Sequence, residues 1–314
     1  MDQENNLINL SEELKNDKTD KPKKKKVNKE TAADKKASTT KSTPNKEVKS
    51  FRMISKIEPQ KRKGRYNIYV NDEFAFGVDE EVLIRFELKK GLHVPKELQD
   101  KIENEDSFYK AYQKTLNYLS YSLRTEKQVR DYLFKNELGH YSERMIAELK
   151  TAKLLDDLMY AESYVRSMAN VNQKGPRNIE QELKQRGVAD NHILTALDEY
   201  PEEQEIENAI DLAEKKWSKT KNSSEFETIQ KVKKYLVNKG YSFEIADQAV
   251  AAIDTEKDTE EEYKSLEKQA DKAHRRYSRK HEGYELKQRL RAYMYSKGYP
   301  NDLINRYFDE REME

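Results

Sequence analysis

Cysteine is absent from this chain, which excludes a disulfide framework and a thiolate metal site and fits a reducing compartment. Glycine is scarce, nine in 314 residues, and none falls in G-x-x-x-x-G-K-[ST] or G-x-G-x-x-G, so no nucleotide cradle is recognisable. The five histidines are scattered. No H-E-x-x-H occurs, and His274 and His281 lack a third ligand, so they read as surface histidines. Long hydrophobic runs are missing too. Nothing approaches the roughly 20 apolar residues of a membrane span, and the polar N-terminus does not read as a secretory signal. Asp156 and Asp157 could be taken for a catalytic or metal pair, but adjacent residues at a helix start do not face each other, and helix capping is the better reading. These absences predict a cytoplasmic chain that is not an enzyme and has no cofactor, no metal and no membrane partner.

What is present is charge. At 38% charged and 35% hydrophobic the chain is too polar for one large core, but it suits an array in which neighbouring units share small ones. The net charge of +1 averages over segments of opposite sign. The organising stretch is Leu154 to Leu197. An acidic turn at Asp156 and Asp157 precedes an aromatic-rich helix with Tyr160, Tyr164 and Val165. Gly175-Pro176 restarts the chain, because Pro in a first helical turn gives up an N–H that would be unpaired there. The second helix carries Ile179 and Leu183 and stops at Gly187. Asp190 is expected to cap a third, with Ile193, Ala196 and Leu197 on its apolar face.

Two pieces of this stretch, LLDDLMYAESYVRSM (Leu154 to Met168) and GPRNIEQELKQRGV (Gly175 to Val188), resemble the core repeat of the RecX family, regulators of the bacterial RecA recombinase. The resemblance extends more weakly from about residue 53 to the C-terminus and does not cover the first fifty residues. It implies a protein that lies in the groove of the RecA–DNA filament and lowers recombinase and co-protease activity. Arg166, Arg177, Lys184 and Arg186, on or beside these motifs, become the candidate filament contacts.

The same unit recurs. Ile179 and Leu183 stand eight and four positions before Gly187, as Val232 and Leu236 do before Gly240 and Leu290 and Met294 before Gly298. Tyr241 and Tyr299 follow the later glycines, and Leu197, Val250 and Phe308 lie ten residues beyond each glycine. An earlier copy, Val129 and Leu133 before Gly139, needs two extra residues at the turn. A unit of about 45 residues buries too little to be stable alone, so stacking is expected. The predicted fold is mainly α: tandem three-helix repeats forming an elongated array, preceded by a small β-rich region and a disordered tail. The expected divisions are a Lys-rich tail over 1–50, a β-meander with a short helix over 51–105, and repeats over 106–155, 156–200, 201–254 and 255–314.

The tail holds 13 Lys against 9 Asp plus Glu, with the run Lys23 to Lys26. It reads as a solvated extension, with a salt-sensitive nucleic-acid contact as the alternative. From Met53 the period alternates. Ile54 and Ile57, then Tyr66, Ile68 and Val70, then Phe74 and Phe76 after Asn71-Asp72 read as a three-stranded meander, and Asp79 caps the helix that covers it. Its aromatics fit a small core, or alternatively a platform on which bases stack. Further on, Tyr112, Leu116 and Leu119 form an apolar stripe, Thr125 with Gln128 and Ser224 with Glu227 form capping boxes, and Ser142 is expected to cap the next helix.

The fourth repeat differs in charge. Lys268 to Lys297 contains ten Lys plus Arg against three Asp plus Glu. Arg275, Arg276, Arg279, Lys280, Arg289 and Arg291, beside Tyr277, Tyr284 and Tyr293, are candidates for DNA contact, although such runs are commonly only solvated faces. Two readings follow. One is a monomeric regulator of the RecA filament, touching single-stranded DNA weakly or through the filament. The other is a sequence-nonspecific DNA-binding helical module that acts independently of RecA. Third helices such as Asp190 to Leu197 carry few base-reading side chains, which weakens a helix-turn-helix version of the second reading.

Overall fold

A computed structural model describes residues 51–255 and 258–311. The expected tail over 1–50 lies outside them. The chain divides into two compact units, whose described residues are 51–123 with 129–154 and 124–128 with 155–255 and 258–311.

In the first unit, β1 (Ile54–Pro59), β2 (Arg65–Val70) and β3 (Glu73–Asp79) form an antiparallel meander in that order. Asn71 and Asp72 both take positive φ, 53° and 65°, the mirror-image turn whose twist matches that of paired strands. Ile54, Ile68, Val70, Phe76 and Val78 fill one face, and α1 (Glu80–Arg85) adds Val82, with Asp79 capping it by accepting from the Glu81 amide at 3.3 Å. Next, α2 (Lys96–Leu119) starts after Pro95 and runs unbroken through the expected boundary at 105/106. Nothing between those residues could stop a helix, and Asp106 lies inside it. Its carboxylate accepts both terminal nitrogens of Arg65, at 3.0 and 3.1 Å, the Asp79 amide at 2.8 Å and Lys110 Nζ at 2.7 Å. Burial alone would raise this carboxyl, but these donors outweigh burial and hold it below the usual aspartate range. The buried face of α2 carries Phe108, Ala111 and Thr115, while Tyr112, Leu116 and Leu119 are only half-buried.

Helices α3 (Glu126–Lys135) and α4 (Ser142–Thr151) complete the first repeat. Thr125 and Gln128 form the expected capping box, at 3.0 and 3.2 Å. Ser142 caps nothing, because the turn Gly139–Tyr141 feeds directly into α4 and Ser142 is already helical. The turn also corrects the expected register. Glu137, at φ 62°, takes the left-handed position that Gly187 takes in the second repeat, and the Leu138 amide reaches back to the Leu133 carbonyl as Val188 does to Leu183. Val129 and Leu133 therefore stand eight and four residues before Glu137, with no insertion.

The later repeats are α5 (Asp157–Asn170), α6 (Pro176–Gln185) and α7 (Asp190–Leu197); α8 (Glu202–Lys219), α9 (Glu225–Asn238) and α10 (Phe243–Ala252); and α11 (Thr259–Tyr277), α12 (Gly283–Ser296) and α13 (Asn301–Asp309). Their middle-helix pairs, Ile179 and Leu183, Val232 and Leu236, and Leu290 and Met294, are each at 0% exposure, so the eight-and-four spacing marks the core. Asp156 caps α5 by accepting from the Leu158 and Met159 amides. Asp190 does not cap α7. Ala189 holds that position without a side-chain bond, and Asp190 pairs with Lys184 at 3.4 Å instead.

Within the second unit, repeats join end to end through their middle helices. The start of each middle helix meets the terminal turn of the next one. Thr125 Oγ1 donates to the Arg186 carbonyl at 2.8 Å. The Gly175 and Arg177 amides donate to the Lys239 and Gly240 carbonyls at 2.9 and 3.2 Å. Ser224 Oγ donates to the Lys297 carbonyl while accepting from the Glu227 amide. Each contact satisfies carbonyls left open at a helix end and sets a positive helix start against a negative end. The approach is close: a Cβ on Gly240 would lie 2.6 Å from the Asn178 nitrogen, and one on Gly298 2.5 Å from Phe226 Cβ. Glycine at these turns is thus required by the neighbour as well as by positive φ.

Candidate functional site

The second repeat places its four expected contact residues differently. Arg177 is the second residue of α6 and exposed. Arg166, on α5, reaches Glu199 at 3.0 Å with both side chains well exposed. Lys184 lies between Glu180 at 2.8 Å and Asp190 at 3.4 Å, and those carboxylates hold its ammonium above the usual range. Arg186 is turned inward. Its guanidinium lies 4.8 Å over the Tyr164 ring and donates to the Tyr160 hydroxyl at 3.1 Å. Tyr164 in turn donates to Glu182, which Lys174 also holds at 2.6 Å. Burial, and then the Glu182 carboxylate, push the Tyr164 hydroxyl well up. Arg186 is therefore part of what holds the repeat together, leaving three cations at the surface.

The six basic candidates of the fourth repeat do not form one patch. Successive helical residues are about 100° apart, so Arg289 and Arg291 flank opposite sides of the buried stripe Leu286, Leu290 and Met294. Arg291 sits over Phe308 at 5.4 Å, and Arg289 is bound to Glu285 at 3.0 Å. On the Arg289 side, Arg276 lies over Tyr277 at 4.4 Å and Tyr293 at 5.5 Å. Arg275, Arg279 and Lys280, at the end of α11 and in the turn after it, are exposed, and no ion pair holds them among the described residues. Tyr277 and Tyr293 are half-buried against the core, while Tyr284 is 74% exposed.

In the first unit the two expected strand phenylalanines separate: Phe76 is buried and Phe74 is 59% exposed, edge-on to Tyr69. The cause is a register shift between Ile68 and Tyr69. The solvent-side row Lys56, Tyr69 and Phe74 is partly neutralised, since Lys56 pairs with Glu58. Among the described residues no His, Cys, Asp or Glu group could hold a metal, and no helix is long and apolar enough to cross a membrane.

Sequence reasoning missed a pair of acids that serve the repeat junctions. Asp157 accepts from the Glu126 amide at 2.8 Å, and Glu262 from the Glu225 amide at 3.0 Å, each at the first residue of a middle helix. The acid-rich first turns of α5 and α11 were the available signal, but they read equally as ordinary capping. In the remaining junction, Pro176 occupies the donor's place and has no N–H. Glu205, the fourth residue of α8 as Glu262 is of α11, lines a cleft of about 370 Å³ there with Pro176 and Arg177. Burial and the neighbouring Glu202 push its carboxyl up, and Arg177 opposes them.

Comparison with known proteins matches the chain, in order, to the Regulatory protein RecX N-terminal domain over 52–95 and to the RecX first three-helix domain over 111–148. The RecX second three-helix domain matches 156–197, and the third matches twice, over 202–250 and 260–308. Among curated relatives, "Regulatory protein RecX" of Oceanobacillus iheyensis is 37% identical over 268 residues, covering 83% of this chain and 98% of the relative. That of Leuconostoc mesenteroides is 40% identical over 264 residues, 84% of this chain and 98% of the relative. A solved structure, "Crystal structure of regulatory protein RecX", is 40% identical with a TM-score of 0.59, and covers 62% of this chain and 97% of its own.

Proposed function

Since the chain belongs to the RecX family of regulatory proteins, we propose that it binds the RecA filament on DNA and lowers its recombinase and co-protease activity without catalysing a reaction itself. The observation that carries the reading is the state of the cations on the family-like motifs. Arg177 is exposed, and Arg166 and Lys184 are held only by surface carboxylates. Exposed ion pairs contribute about 0–1 kcal/mol, so these side chains can exchange their partners for carboxylates on a filament at little cost. Several such contacts on one chain would add. The test is RecA assembly on single-stranded DNA, followed with and without the protein and with Arg166, Arg177 and Lys184 changed together to Gln. The expectation is slowed growth by the natural chain, lost in the variant at unchanged melting temperature. RecA assembly indifferent to the natural chain would end the proposal.

A second reading, DNA binding independent of RecA, is favoured by one observation: the exposed cations Arg275, Arg279 and Lys280 that no carboxylate holds among the described residues. Affinity for single strands that is the same with and without RecA would support it.

A further inference from the structure

In the second unit a cleft of about 400 Å³ opens between the end of α8, the loop leading to α9, and the outer face of α11. Trp217, the only tryptophan of the chain, stands at the end of α8. Its indole is half-buried and packs on the core of the third repeat, and its remaining surface lines the cleft. Lys221, Lys264 and Lys268 line the same space and are exposed. Lys268 donates to Asn222 Oδ1 at 3.0 Å, whereas Lys221 and Lys264 have no ion pair or hydrogen bond among the described residues. Two carboxylates share the lining, Asp258 and Glu261, and the first is occupied in capping α11 by accepting from the Glu260 amide at 3.0 Å.

We propose that this cleft takes one nucleotide of a single strand, its base against the Trp217 indole and its flanking phosphates on Lys221, Lys264 and Lys268. The volume falls within the roughly 300–1,000 Å³ of small-ligand sites. Stacking on an indole accepts any base, since every base presents a π-face, and lysines beside the ring follow the backbone without reading sequence. Among the described residues, three lysines against two carboxylates leave the lining a net charge of +1, the sign a phosphodiester needs. The site is separate from the basic end of α11 and needs no RecA.

The lone tryptophan makes the test direct, because the whole indole emission reports on this cleft. The full chain is titrated with oligo(dT) while Trp217 emission and the anisotropy of a labelled strand are followed together. Quenching and anisotropy should share a midpoint. Changing Lys264 and Lys268 to Gln should weaken binding about 25-fold at 0.1 M salt, since each phosphate contact contributes a factor of about [salt] to the power −0.7. Trp217→Leu should weaken it without the same change in salt dependence, and circular dichroism melts confirm that each variant is folded. Anisotropy change without quenching would put the strand elsewhere and overturn the proposal. Quenching by ATP or dTMP alone as effective as by oligo(dT) would replace the strand with a free nucleotide, and equal quenching by polyglutamate would replace it with an acidic protein segment. RecA is absent from every arm, so failure here leaves the filament reading standing, and the converse holds.

Discussion

Gly240→Ala is the change by which the repeat junction can be weighed. The added Cβ would lie 2.6 Å from the Asn178 nitrogen and 2.8 Å from Asn178 Cβ, and both belong to the first turn of α6 rather than to a yielding side-chain tip. Gly240 also sits at φ +100°. A left-handed L-residue costs about 1–2 kcal/mol. Forcing a methyl into a packed contact adds about 1–3 kcal/mol. The sum is about 2–5 kcal/mol, and the Gly175 and Arg177 bonds to this turn would lengthen with it. Gly283→Ala supplies the control, because Gly283 is in the same unit with φ +52° and nothing within 4 Å of a built Cβ, so only the conformational cost applies. Urea unfolding followed by Trp217 emission, read as midpoint and slope, compares the two. Equal losses would mean that positive φ alone requires glycine at this turn, and that the close approach contributes nothing.

Leu183→Ala, at a fully buried position, should destabilise the second repeat by about 2–5 kcal/mol, while exposed Arg177→Ala should cost less than about 1; thermal melts of equal depression would reverse that ranking. Asp106→Asn should flatten the acid limb of the first unit's stability. A carboxyl held below its unfolded pKa adds stability that is present above the usual aspartate value and lost as pH falls through its folded value, and an unchanged acid limb in the variant would refute that role. Changing Arg275, Arg279 and Lys280 to Gln should lower the salt slope of single-strand binding by up to about 2 if all three meet phosphates, and an unaltered slope would leave them as a solvated face.

The register was legible in the sequence because it records burial within one repeat. An apolar residue eight and four places before a left-handed turn is a local pattern, and it predicted each pair found at 0% exposure. Asp79, Asp156, Thr125 and Ser224 were legible as caps for the same reason, their partners lying two or three residues away. Contacts set by distant residues were not. Asp106 looks like a boundary acid until Arg65, 41 residues earlier, is placed beside it. Arg186 looks like a surface cation of its motif until Tyr160 and Tyr164 are seen beneath it. Glu137 was passed over for Gly139, since a left-handed turn without glycine is rare. The junctions explain the exception. Gly187, Gly240 and Gly298 each receive the start of the preceding middle helix, and among the described residues no middle helix precedes the first repeat, so its turn can carry a side chain.

Duplication narrows the electrostatic argument further. The two matches to the third three-helix domain are offset by 58 residues, as are Gly240 and Gly298. With that offset Arg289 falls on Lys231 and Glu285 on Glu227, and both pairs form the same surface bridge, at 3.0 and 3.4 Å. Arg291 falls on Lys233, which pairs with Asp247. Cations at these two places thus serve both repeats and need no nucleic acid to account for them. The remaining four differ in kind: Arg275, Arg276, Arg279 and Lys280 fall on Trp217, Ser218, Lys221 and Asn222. In the third repeat this segment lines the tryptophan cleft, whereas in the fourth it carries guanidinium groups, one of them stacked on tyrosines. The end of the first helix and the turn after it therefore carry four cations in the fourth repeat where the third has two, Lys219 and Lys221. The salt-slope test of Arg275, Arg279 and Lys280 therefore probes a segment in which the two copies differ, whereas the same test at Arg289 or Arg291 would probe cations that both copies share.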